Sequence, residues 1–228
     1  MRIEFILALS VALLGMGVPL HGDTLDGVLN HLDKAGSQFT AMSAQFENVK
    51  HTALVNEDST ATGAIRLKRP KRGVFLAFLD YVAPDKKLVA LNDQMLDIYL
   101  PIMKTDQGCD LGKHKDLLQQ FFLFGFGTTR RDLEGSYNVS YGGPETVNGE
   151  AATRLVLTSK NPDIAKHLSK FELWISDKTG EPVRQKFYEP SGDYNVFTYS
   201  DMKINPNLPD SSFKLHLKGD VKKENICK

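Results

Sequence analysis

The sequence is poor in cysteine, with two residues in 228, carries a single tryptophan and has no excess of charge of either sign. Lysine plus arginine (28) equals aspartate plus glutamate (28), so no net field draws the chain to nucleic acid. The basic runs Lys68-Arg69-Pro70-Lys71-Arg72 and Lys222-Lys223 read as solvated edges or turns. Two cysteines exclude a disulfide-dense scaffold. Cys109 and Cys227 can pair in an oxidising compartment, tying the centre of the chain to its tail, or stand as two free thiols. Internal repeats and low-complexity segments are absent. So is an apolar run of transmembrane length: Phe5 to Leu20 falls short of the ~20 residues a spanning helix needs, and Gly15, Gly17 and Pro19 interrupt it. The run reads as a signal peptide over residues 1–22, with Leu20-His21-Gly22 as the cleavage site before Asp23. An uncleaved membrane anchor is the alternative. No cysteine follows the run, so the protein is not itself a lipoprotein. The mature chain, residues 23–228, is expected to be one exported domain.

Catalytic constellations are missing too. There is no Gly-x-Ser-x-Gly elbow, no His-Glu-x-x-His and no glycine-rich phosphate loop ending in Lys-Ser or Lys-Thr. Gly125-Phe126-Gly127-Thr128-Thr129 lacks the lysine of a phosphate loop and reads as a helix terminator. His21 leaves with the signal peptide. His31, His51, His114, His167 and His216 are scattered over wet faces and loops, a spacing that offers no convergent ligands. No metal and no cofactor are expected, and an enzyme is not. An exported hydrolase with an unrecognised site is the remaining catalytic alternative.

What is present is a helix followed by many strands. Asp23 and Thr24 can cap a helix bearing Leu25, Val28, Leu29, Leu32 and Ala35, which Gly36 ends. From Met42 the period drops to two. Met42, Ala44 and Phe46 alternate with polar residues, and Gly73 to Tyr81 is apolar on both faces. Leu88–Leu91 and Met95–Leu100 form a hairpin across Asn92-Asp93, and a loop follows near Gly108–Gly112. Further strands are expected at Tyr137–Tyr141, broken by Gly142-Gly143-Pro144, and at Arg154–Thr158, Phe171–Ile175, Val183–Tyr188, Tyr194–Met202 and Phe213–Leu217. A short helical turn starts at Asn161-Pro162-Asp163, and the tail from Val221 is charged. A meander of this kind builds a curved antiparallel sheet or barrel.

Two segments stand out. Along the strand ending at Pro70, Ala61, Gly63, Ile65, Leu67 and Arg69 share a face, which puts a guanidinium at the end of an apolar row. It must find acceptors or a wet cavity; the alternative is that the strand twists off at Pro70 and Arg69 reaches solvent. In Leu117–Phe126, seven large apolar residues, Leu117, Leu118, Phe121 and Phe122 among them, are too many for one stripe. Such a helix is buried core, lies in a membrane or covers a cavity. Gln119, Gln120 and the shortness of the run speak against the membrane, and the excess of apolar residues points to a lid, to binding rather than catalysis.

Leu67-Lys68-Arg69-Pro70, then Val74-Phe75, Pro84, Asn92-Asp93 and Tyr99-Leu100-Pro101, resemble in order and spacing the LolA family of periplasmic lipoprotein carriers. The resemblance runs from about Leu25 to about Val221. It departs from the family pattern at Asp97-Ile98, where an aromatic is usual, and in the tail after Val221. It implies a mainly β fold, an incomplete antiparallel β-barrel (half-barrel) covered by an α lid and enclosing a hydrophobic cavity. Lid helices would span about 24–35 and 113–125. Phe46, Ile65, Leu67, Arg69 and Phe75 would line the cavity with Leu117, Leu118, Phe121 and Phe122 of the lid, and Arg69 would bond lid backbone carbonyls. The implied function is a periplasmic carrier that takes lipoprotein acyl chains from an inner-membrane ABC transporter to an outer-membrane acceptor, as a monomer. The alternative is a module of the same fold that senses or carries another lipid or acts on a partner protein.

Overall fold

The computed structural model describes residues 24–71, 74–112, 125–217 and 219–227. The expected signal peptide and most of the second lid helix, with Leu117, Leu118, Phe121 and Phe122, lie outside the described residues.

Helix α1 (Leu25–Gln38) begins where expected, with the Thr24 side chain accepting from the Gly27 N–H at 3.1 Å. Its stripe of Val28, Leu29 and Leu32 is buried. The helix runs past Gly36, so that glycine is not the terminator. Its role is close approach: a Cβ there would sit 2.2 Å from the carbonyl oxygen of Thr128.

The strands follow as β1 (Ala41–Thr52), β2 (Glu57–Lys71), β3 (Val74–Ala83), β4 (Lys87–Asn92), β5 (Met95–Leu100) and β6 (Thr105–Asp110). After helix α2 (Arg130–Ser136) come β7 (Tyr137–Val147), β8 (Glu150–Ser159), the short helix α3 (Pro162–Ala165), β9 (Lys170–Ser176), β10 (Pro182–Tyr188), β11 (Tyr194–Ile204) and β12 (Lys222–Asn225). They form one sheet in the order β12-β6-β5-β4-β3-β2-β1-β11-β10-β9-β8-β7. Neighbours are antiparallel except β12, which pairs parallel to β6. The edge strands β12 and β7 do not meet, so the sheet is open: a half-barrel, mostly β. Bulges between Ser43 and Gln45 in β1 and along β2 sharpen its curl.

Several expectations are corrected. The loop expected near Gly108 begins inside β6, and Gly142-Gly143 do not break β7 but make a bulge within it. The charged tail is strand β12, fixed by a Cys109–Cys227 disulfide with a Cα–Cα distance of 5.1 Å. Phe213, Leu215 and Leu217 are not a strand. Pro209 cannot donate to a ladder, the Ser212 hydroxyl donates to the Pro209 carbonyl at 2.7 Å, and Asp210–Phe213 closes as a 3-10 turn. That turn tucks Phe213 against Leu76, Phe78 and Ala90 on the convex face of the sheet. Lys68, on the wet side of β2, holds the same segment by donating to the Leu208 carbonyl and to Asp210, both at 2.7 Å. This covering explains why β3 is apolar on both faces: Phe75, Ala77, Leu79 and Tyr81 serve the concave core, Leu76 and Phe78 the convex one.

Two apolar clusters line the concave face. One joins β1–β6 and β11 through Met42, Phe46, Leu67, Phe75, Leu91 and Tyr199; in the other, α1 packs on β7–β10 through Leu29, Leu32, Leu155, Phe171 and Phe187. The antiparallel order puts the β1–β2, β3–β4, β5–β6 and β10–β11 turns at one end of the sheet, here the tip end. The β2–β3, β4–β5 and β9–β10 connections lie at the other.

Candidate functional site: an apolar cleft on the concave face

The row that begins at Ala61 turns inward as alternation requires. Gly63, Ile65 and Leu67 are buried, and Arg69 is half-buried at its end. Pro70 does not twist the strand into solvent. One Arg69 guanidinium nitrogen (Nη2) donates to the Gly127 carbonyl at 2.5 Å. Burial pulls the Arg69 pKa below its ordinary value, and the Asp132 carboxylate opposes that pull. Gly127 has a left-handed backbone (φ +62°), and a Cβ there would stand 2.6 Å from Arg69 Nη2 and 2.8 Å from Phe39. Only glycine allows this approach.

The bond fixes a turn, Gly125–Gly127, whose central residue fills the fold. Phe126 is fully buried, its ring centroid 6.1 Å from Phe39 and 5.4 Å, edge-on, from Tyr199. Two residues later Thr129 caps α2 in a reciprocal capping box with Asp132. This helix was not expected from the sequence, although Thr129-x-x-Asp132 is an N-terminal signal. Arg130 ties α2 to α1: its guanidinium reaches Asp26 at 2.8 Å and its backbone N–H the Asp33 carboxylate at 2.9 Å.

On the tip side of Phe126 the concave face opens into a cleft of about 360 Å³. Ile65, Leu79, Val89, Phe187 and Phe197 make its apolar wall, with Tyr81 and Tyr199 between them. The Tyr199 hydroxyl donates to Gln185 Oε1 at 2.7 Å, and burial raises its pKa well above the ordinary phenol value. Burial pushes Tyr81 up to about 12. Asn48, Lys50, Lys87 and Asn195 line the cleft as well. The Lys87 ammonium lies 4.1 Å from the centre of the Tyr81 ring. Burial, and then the charge of Lys50, lowers the Lys87 pKa. An anionic group placed between the two lysines would relieve that repulsion.

Phe46, Ile65, Leu67 and Phe75 meet in one cluster with Phe39, Phe126 and Tyr199. Ile65 lines the cleft itself; Phe46, Leu67 and Phe75 pack in the adjoining core, Phe46 edge-on to Tyr81 at 5.0 Å. Missed were Tyr81, Phe187, Phe197, Tyr199, Lys50 and Lys87. Alternation held the signal for most of them: Tyr81 ends the row Phe75-Ala77-Leu79, Lys50 ends Phe46-Asn48, and Phe197 and Tyr199 share a face of β11. Among the described residues no group of three or more histidine, cysteine, aspartate or glutamate side chains is placed to hold a metal ion. The buried carboxyl with the largest upward shift, Glu181 at about 7, sits before β10 and does not line the cleft.

An open antiparallel half-barrel with helices over an apolar concave face defines a class of fold. The family model described as outer membrane lipoprotein carrier protein LolA matches residues 37–216, and the chain belongs to that family. Comparison with curated protein sequences gives no match. Among solved structures the chain is similar in fold to MucB, with 17% identity, a TM-score of 0.52 and coverage of 86% of this chain. It spans 64% of the MucB chain's length. It is also similar to an uncharacterized conserved protein from Thermus thermophilus, at 14% identity and a TM-score of 0.53, covering 88% of this chain and 98% of that one.

Proposed function

We propose that the chain is a periplasmic carrier that shelters lipoprotein acyl chains in its concave cleft between an inner-membrane ABC transporter and an outer-membrane acceptor. The observation that carries the reading is the apolar cleft, walled by Ile65, Leu79, Val89, Phe187 and Phe197. Family membership supports it. Each buried methylene gains about 0.8 kcal/mol, so a sixteen-carbon chain gains roughly 12 kcal/mol gross over water. A carrier must shield that surface in transit and hand it on mouth to mouth, where it never meets water. At about 360 Å³ the cleft is at the small end of ligand sites, so larger cargo requires the covering elements to move. The Arg69–Gly127 bond is a polar latch of the right kind: it favours the closed, empty form and offsets part of the binding energy.

Lys50 and Lys87 favour a second reading, in which the module binds another lipid with an anionic head. Two experiments separate the readings. Transfer of a labelled lipoprotein from donor membranes to acceptor membranes should require this protein, and its failure with active partners removes the carrier reading. Mass spectrometry of lipids extracted from gently purified protein should then return diacylated peptide for a carrier, or a free anionic lipid for the second reading.

A further inference from the structure

We propose that the tip end of the sheet is a membrane-docking rim, on which Leu54, Val55, Val82, Ile102 and Met103 insert into the interface of a lipid bilayer. Among the described residues nine large apolar side chains are exposed, and the five that are more than half exposed all belong to this end. Leu54 (93% exposed) and Val55 sit in the β1–β2 turn, Val82 near the end of β3, and Ile102 (80%) and Met103 in the β5–β6 turn. Polar residues and glycine are the usual occupants of such turns, and among the described residues no packing accounts for these apolar ones. The occupant is argued from their arrangement. They stand on three neighbouring hairpins, one or two side chains at each tip, whereas a stable protein interface needs a packed, continuous patch. A bilayer interface takes up separate apolar tips one by one.

The charges around them set the mode of binding. Lys50, Lys86, Lys87 and Lys104 stand close to the tips, but Glu57, Asp58 and Asp85 lie among them. Asp58 is engaged with His51 at 2.7 Å and Lys86 with Asp80. The net field of the rim is therefore small, so insertion of the apolar side chains dominates and anionic lipid adds a modest gain. Lys50 and Lys87 also line the cleft, which places its lining and the rim at the same end. A docked rim would let an acyl chain pass between bilayer and cleft without crossing water. The rim serves the cleft of the carrier reading but is a surface which that reading does not need.

The test uses the mature chain, residues 23–228, and vesicles of phosphatidylethanolamine with or without phosphatidylglycerol. Leu54→Trp should show blue-shifted emission on vesicles and quenching by brominated acyl chains. Trp174, the one native tryptophan, is buried in a strand interior and should stay unquenched in the wild type. Leu54→Asp with Ile102→Asp should lower vesicle flotation about tenfold or more, with the urea midpoint and uptake of a hydrophobic dye unchanged. Unquenched Leu54→Trp, or a double variant that floats like the wild type, overturns the proposal. So does binding that salt abolishes but the double variant leaves intact, because that is headgroup electrostatics. Photocrosslinking from position 54 to another protein, without flotation, also overturns it in favour of a protein partner. Wild-type protein that floats with vesicles but takes up no dye counts against the carrier reading and leaves the rim standing.

Discussion

Arg69 and Gly127 act as a pair. The guanidinium ends an apolar row and would be costly there without an acceptor; the glycine supplies a carbonyl at 2.5 Å and the space to reach it. A charge-assisted bond of this kind contributes about 1.5–3 kcal/mol. Arg69→Leu should therefore loosen the turn that carries Phe126 and raise dye uptake several-fold, while circular dichroism keeps the β signal. Unchanged uptake would show that the bond does not restrain the cleft. Glu181 makes a different prediction. Its carboxyl is buried, its Oε2 has no hydrogen-bond partner among the described residues, and its pKa is raised to about 7 from the ordinary 4.5. The folded state then binds the proton more tightly than the unfolded one. Stability from this group is present below about pH 4.5, falls as pH rises to about 7 and levels off above that, a loss on the order of 3 kcal/mol. Glu181→Gln should flatten that slope and stabilise the protein at pH 8. Urea denaturation at pH 5 and pH 8 checks it, and equal slopes in variant and wild type would contradict it.

Elements are joined to the sheet in two ways, one covalent and one not. β12 adds only four residues, paired to the edge of β6, and so relies on the Cys109–Cys227 disulfide to stay there. The bond spans 118 residues of sequence, and closing a loop of that length restricts the unfolded chain. Cys109→Ser should lower stability by about 2–5 kcal/mol and speed hydrogen exchange in β6 before the rest of the sheet. Protection that stays uniform across β5 and β6 would mean that the edge holds without the bond. The turn at Gly125–Gly127 and helix α2 are held instead by Phe126, the Arg69 bond and the Arg130 contacts to α1. Leu133 of α2 adds a buried contact in the α1 cluster. These are side-chain contacts and not a backbone ladder like those that join the strands, and a cleft that must enlarge requires them to give way before the sheet does.

At the scale of the molecule, alternation was a good guide wherever a strand has one wet face. It placed Ile65, Leu67 and Arg69 correctly, and the hairpin across Asn92-Asp93 with them. It failed where a second layer covers the sheet: Phe213 and Leu215 are apolar because they lie on β3 and β4, and that spacing imitates a strand. Gly36, Gly142 and Gly143 read as punctuation, yet the first marks a close helix contact and the others a bulge, choices that only tertiary packing makes. Much of the cleft comes from β10 and β11, far along the chain from β2. Alternation names their inward faces but not which strands end up opposite one another. The central claim is that the concave face holds an acyl chain, and photocrosslinking with a diazirine-bearing sixteen-carbon fatty acid tests it most directly. Adducts are expected on peptides carrying Ile65, Leu79, Val89 and Phe197, reduced by competing unlabelled lipid and redistributed in Arg69→Leu. Adducts confined to the convex face around Phe78 and Phe213, or none above background, would contradict it.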